Sequence, residues 1–149
     1  MTVQQWAEGR HSAGLTQVQA ADALGISQPY LSQLEKGSRK DGLVLARKAA
    51  ALYRLPPTAL PLPNAPESSA VKPDRLQSQL AALGYPGFAH VSPGKKCNPA
   101  GLDFAALIQR DLGTRLVEAM PWVFGTFPDC DCHWLRVHAT LRHVQQRSG

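Results

Sequence analysis

No stretch of this 149-residue chain stays apolar for the ~18–20 residues that a membrane-spanning helix requires. The opening residues, MTVQQWAEGR, lack the basic-then-apolar pattern of a secretory leader, so none is expected. Cysteine is scarce: three thiols are an odd number and too few for a disulfide scaffold, which points to reduced thiols and a cytoplasmic setting. Internal repeats are absent, and no alternating run is long enough to suggest a sheet. Also missing are a phosphate-cradling glycine loop, an H-E-x-x-H pair and a nucleophile with a recognisable base, so no enzymatic activity is expected. These absences leave a helical, globular, non-secreted protein.

What is present is a packable core and an uneven positive charge. Hydrophobic residues make up 44% of the chain, and the net charge is +5. Residues 1–55 carry seven basic side chains (Arg10, Lys36, Arg39, Lys40, Arg47, Lys48, Arg54) against four acids (Glu8, Asp22, Glu35, Asp41). Five of those seven fall between positions 36 and 48, a cluster that fits either a solvated face or a polyanionic partner. The stretch from Pro56 to Pro73 holds six of the twelve prolines. Proline removes a backbone donor and disfavours helix in the residue before it, so this stretch is expected to be a partly extended connector. The expected organisation is therefore a helical unit over 1–60, a proline-rich linker over 61–73 and a second helical unit over 74–149, all-α throughout.

Short helices follow from the punctuation of the first unit. One is expected over Val3–Ala13 with Trp6 inward, ended by Gly14. Thr16 and Gln19 form a capping-box pattern that opens a second, with Val18, Ala21 and Leu24 on one side and Gly25 as its stop. Ser27 caps a third over Gln28–Lys36, which tolerates Pro29 in its first turn, turns Leu31 and Leu34 inward and ends at Gly37. A fourth is expected over Asp41–Tyr53 with Leu45, Ala49 and Leu52 at core spacing, and a short turn near Pro57–Leu60 closes the unit. Two short helices joined by Gly25-Ile26-Ser27 make a helix-turn-helix, with the small Ala21 where the pair crosses closely.

The wording Leu15-Thr16-Gln17, Ala21, Leu24-Gly25-Ile26-Ser27-Gln28 and Leu31-Ser32-Gln33-Leu34-Glu35-Lys36-Gly37 resembles the phage-repressor/Cro, or XRE, helix-turn-helix family from about Gly9 to Leu60. The resemblance implies a five-helix bundle whose second motif helix lies in the DNA major groove. Base contacts are then expected from Gln28, Pro29, Ser32 and Gln33, since glutamine pairs with adenine and serine reads either kind of base edge. Phosphate contacts are expected from Gln17 at a helix start and from Lys36, Arg39 and Lys40, while Tyr30 suits a phosphate contact, a thymine methyl or an inward packing place. The resemblance also implies a bracing ion pair between Arg10 and Glu35. One departure is the link Arg39-Lys40-Asp41-Gly42, which lacks the usual Pro-Ser helix start.

In the second unit a helix is expected from Pro73-Asp74, with Leu76, Leu80 and Leu83 inward and Gly84 at its end. A proline- and glycine-rich loop should follow over Tyr85–Gly101, carrying Phe88, Lys95 and Lys96. Asp103 is expected to cap a helix reaching about Met120, and a final helix with Trp134, Leu135, Leu141 and Val144 to follow Asp131. Between them Met120–Phe127 is the most hydrophobic segment, suited to a core or, through Trp122, Phe124 and Trp134, to a dimer or partner interface. The run Asp129-Cys130-Asp131-Cys132-His133, with Cys97, His138 and His143 elsewhere, has no zinc-site spacing, so no metal or other cofactor is expected. Two functions fit. One is a dimeric transcriptional regulator, an autorepressor, on a double-stranded DNA operator. The alternative is an antitoxin whose second unit neutralises a cognate toxin while the first represses the operon.

Overall fold

The computed structural model describes residues 1–63, 71–109 and 112–147, with 142–147 followed by backbone alone. Val144 and His143 therefore lie outside the described side chains, and part of the proline-rich stretch, 64–70, lies outside the described residues altogether. Among the described residues there are eight α-helices, two single-turn 3-10 segments and no strand. The fold is all-α. The chain divides into two compact units, Met1–Pro61 and Leu62–Gly149.

The first unit comprises α1 (Val3–Ser12), α2 (Gln17–Leu24), α3 (Gln28–Glu35), α4 (Leu43–Leu52) and a 3-10 turn over Pro57–Ala59. Thr2 with Gln5 and Thr16 with Gln19 form complete capping boxes at α1 and α2, each hydroxyl accepting one backbone N–H and each amide oxygen another. Gly25 ends α2 at φ 72°, a left-handed conformation that glycine adopts without a Cβ penalty. Ser27 Oγ then accepts the Tyr30 N–H to start α3. Trp6, Ala20, Ala21, Leu24, Leu31, Leu34, Ala49 and Tyr53 close the core. Each fully buried leucine contributes roughly 1.5–3 kcal/mol, and the paired alanines let α2 approach its neighbours without a side chain between the backbones.

Two local expectations fail here. Val18 is 61% exposed rather than inward, because the second residue of α2 overhangs the bundle and Ala20 takes the buried place. The fourth helix begins at Leu43 and not at Asp41: Gly42 occupies the cap position with no side chain to offer, while the Asp41 carboxylate accepts hydrogen bonds from Trp6 Nε1 (3.2 Å) and the Met1 amino group (2.8 Å).

The second unit comprises α5 (Pro73–Leu83), a 3-10 turn over Pro86–Phe88, α6 (Pro99–Leu107), α7 (Thr114–Thr126) and α8 (Cys132–Arg147). Leu76, Leu80, Phe88, Leu102, Leu116, Ala119 and Val123 form its core, joined by Val71 just ahead of α5. The expected helix from Asp103 to Met120 is instead two. The first starts earlier, inside the expected loop, where Asn98 Oδ1 accepts the Ala100 N–H and Pro99 fits the first turn. Asp103 is thus no cap: it lies within α6, 1% exposed. The second opens after Gly113, and Met120–Phe127 is helical up to Thr126 instead of linking two helices. Pro121 sits inside α7 without ending it, on the exposed side where the carbonyl it leaves unbonded can meet water. α6 packs against α5, α7 and α8, which makes it the central helix of this unit.

Candidate nucleic-acid interface

Helix α3 separates its two faces cleanly. Leu31 and Leu34 are buried, whereas Gln28, Pro29 and Gln33 are exposed and Ser32 is half-buried. Gln28 and Pro29 lie one turn before Ser32 and Gln33, at offsets of three to five residues between the two pairs, so the four side chains share one outward sector of the helix. Below it runs a polar chain that ties three helices together. Arg10 on α1 forks onto Glu35 at the end of α3, with Nε to Oε1 at 2.6 Å and Nη2 to Oε2 at 3.2 Å. Its Nη1 also donates to the Leu15 carbonyl at 2.9 Å, and Nη2 lies 3.0 Å from His11 Nε2. From α2, Gln17 Nε2 donates to Glu35 Oε2 at 2.8 Å, and Gln17 Oε1 accepts from Gln28 Nε2 at 2.7 Å.

Both members of the ion pair are mostly shielded from solvent. The hydrogen bond to Glu35 raises the Arg10 pKa against the opposing effect of burial. Burial on its own would raise Glu35, but hydrogen bonds from Arg10 and Gln17 and the nearby guanidinium charge hold its carboxyl below the ordinary value. The pair is therefore ionised at neutral pH, and its role is to fix α1, α2 and α3 against one another.

The geometry decides what each glutamine has left to offer. Gln17 spends one N–H on Glu35 and one lone pair on Gln28, so it is chiefly a bracket between helices. Gln28 spends a single N–H, which leaves its carbonyl oxygen and second N–H free to form the donor–acceptor pair that an adenine edge requires. Lys36, Arg39 and Lys40 are all exposed after α3. Tyr30 is half-buried against the core, and the Arg39 guanidinium carbon lies 5.3 Å from its ring centroid. Neither the Gln17 bracket nor the Arg39–Tyr30 contact is visible in the sequence, because Gln17 stands eleven and eighteen residues from its partners, and Tyr30 nine from Arg39, on different elements.

In the second unit, Trp122 is half-buried and packs edge-on to Tyr85 (5.2 Å) and Phe127 (6.1 Å). Trp134, also half-buried, stacks on His138 at 4.2 Å and meets Phe104 at 5.7 Å. Phe124 differs from both: it is 40% exposed, on the same side of α7 as Val117 and Pro121. Cys130 is buried while Cys132 is exposed, and among the described residues no three His, Cys, Asp or Glu side chains gather as a metal site. Nor, among the described residues, is any helix long and apolar enough to cross a membrane.

Residues 7–62 match the family model described as a helix-turn-helix domain. No curated protein and no solved structure matches the chain. The match begins within α1 and runs past the 3-10 turn over Pro57–Ala59, so it takes in the Arg10–Glu35–Gln17–Gln28 chain and the whole exposed face of α3. Residues 7–62 are thus similar to a helix-turn-helix domain, and that match supports a general role in DNA binding.

Proposed function

We propose that the protein is a sequence-specific transcriptional regulator, a repressor, that binds its operator as a dimer and carries out no catalysis. The observation that carries this reading is the outward sector of α3: Gln28, Pro29, Ser32 and Gln33 face away from Leu31 and Leu34 on a helix anchored at both ends, by Gln17 and by Arg10. Gln28 and Gln33 read base edges, while Ser32 and Pro29 fill the groove beside them. Lys36, Arg39 and Lys40 meet phosphates. Tyr30 acts alongside them, and Gln17 adds a contact through the start of α2, where helix N–H groups favour an anion.

A dimer is required because one recognition helix covers only a few base pairs, and a two-fold assembly would set half-sites about one helical turn, ~34–36 Å, apart. Selection from a pool of random duplexes should therefore yield an inverted repeat. Gln28→Ala and Gln33→Ala should each weaken binding to that repeat by roughly 1–3 kcal/mol while hardly changing affinity for random DNA. Equal losses on both substrates would reduce the two residues to backbone contacts. Purification from the native operon bears on the antitoxin alternative: a second protein bound in fixed stoichiometry to the second unit would favour it over a plain repressor.

A further inference from the structure

The link after α3 does more than carry charge. Gly37 takes φ 74°, and the Ser38 N–H returns to the Gln33 carbonyl at 2.9 Å, so the chain turns sharply off the end of α3. Arg39, exposed on this link, places its guanidinium carbon 5.3 Å from the Tyr30 ring centroid. Tyr30 is itself held in place: its N–H caps onto Ser27 Oγ and its ring rests on the core formed by Leu31, Leu34 and their neighbours. A cation within about 6 Å of an aromatic centroid is attracted to the ring's negative face.

We propose that Tyr30 is a positioning residue for DNA binding, its ring holding the Arg39 guanidinium along the border of the α3 reading face so that the charge meets the DNA backbone already oriented. This rests on the reading of α3 as the DNA-facing helix. An unseated arginine on an exposed link must lose its rotamer freedom when it engages a phosphate; one laid on a fixed ring has already lost part of it. The role assigned to Tyr30 therefore differs from direct phosphate contact: the ring acts on the DNA through the arginine.

The test uses the full-length protein, a mixed-sequence DNA duplex and the slope of log K against log salt. Tyr30 is uncharged, so its removal releases no counterions by itself and can lower the slope only through a cation that it orients. Arg39→Ala should lower the slope by about 0.9. Tyr30→Leu, which keeps an apolar group on the core but has no aromatic face, should lower it by a similar amount, with no further fall in the double variant. Tyr30→Phe, which retains the face, should keep the original slope. Where leucine loosens the core, as circular dichroism would reveal, Tyr30→Met makes the same comparison. A normal slope for Tyr30→Leu beside a reduced one for Arg39→Ala would overturn the proposal and leave Tyr30 a packing residue. An unchanged slope for Arg39→Ala would overturn it too, since Arg39 would then touch no phosphate. Neither outcome harms the DNA-binding reading, which fails only if the unaltered protein shows no salt-dependent affinity for the duplex.

Discussion

Asp103 is the residue whose surroundings least suit its chemistry. Its side chain lies within the central helix of the second unit, and neither carboxylate oxygen has a hydrogen-bond partner. Burial pushes its carboxyl up to about 7 from an ordinary 3.8. A raised carboxyl binds its proton more tightly in the folded state. Its contribution to stability is therefore complete in acid, below the unfolded value, and is lost as pH rises through about 7. Asp103→Asn removes the ionisation but keeps the shape. It should leave the unit unchanged near pH 4 and stabilise it above pH 7, by an amount on the order of 2–4 kcal/mol. Thermal melts of the two forms across that range check it; parallel curves at every pH would mean that the carboxylate is solvated in the folded protein. Cys130 shares this environment. Burial, with Asp103 contributing, pushes its thiol up to about 12, so it is a packing cysteine with little thiolate at neutral pH.

Among the elements, the turn after α3 is the most exacting. Gly37 combines a left-handed backbone with a close neighbour: a Cβ there would come within 2.9 Å of Val3 Cγ2. The conformation itself costs an L-residue about 1–2 kcal/mol, and Val3 must move as well. Gly37→Ala should therefore lower stability by at least that amount, read from denaturant unfolding, and weaken DNA binding through displacement of Arg39. Gly25→Ala isolates the backbone cost, because Gly25 is also left-handed at φ 72° but a Cβ there meets nothing within 4 Å. A smaller loss at position 37 than at position 25 would contradict the crowding argument.

For the whole molecule, the two units should answer pH in opposite directions. Glu35 is held below its ordinary 4.5, so its contribution to the first unit is present above that value and is lost as acid takes the pH down through its lowered folded value. Asp103 works the other way in the second unit. Hydrogen exchange followed separately for the two units should show the first opening and the second tightening on acidification from neutral pH toward 3, with Asp103→Asn abolishing much of the tightening. Assembly is expected to depend on the second unit, where Val117, Pro121 and Phe124 lie exposed along α7. Sedimentation should find the full chain dimeric, a chain ending at Pro61 folded but monomeric, and Phe124→Ser weakened in self-association. A dimeric truncation would move the interface to the first unit.

The sequence alone was sufficient for nearly all of the first unit, because local rules and long-range packing agree there. Thr16 with Gln19, Gly25, Ser27 and Gly37 mark helix ends through chemistry within four residues, and Leu31 and Leu34 leave only one face of α3 to bury. The second unit was less legible, since its local signals compete. Asp103 has the side chain of a cap, yet Asn98-Pro99 lies upstream and starts the helix first. Pro121 usually ends a helix, yet packing by Leu116, Ala119 and Val123 carries α7 past it. Tertiary structure decided which outward-facing groups are free and which are engaged. Gln17 looks from the sequence like a phosphate contact, and its amide proves to be shared between Glu35 and Gln28. Arg39 looks like one loose charge among several, and it is laid on Tyr30. Helix boundaries depend on neighbours along the chain and can be read from it, whereas a hydrogen bond between α2 and α3, or a cation on a ring, depends on distances that exist only once the helices have packed.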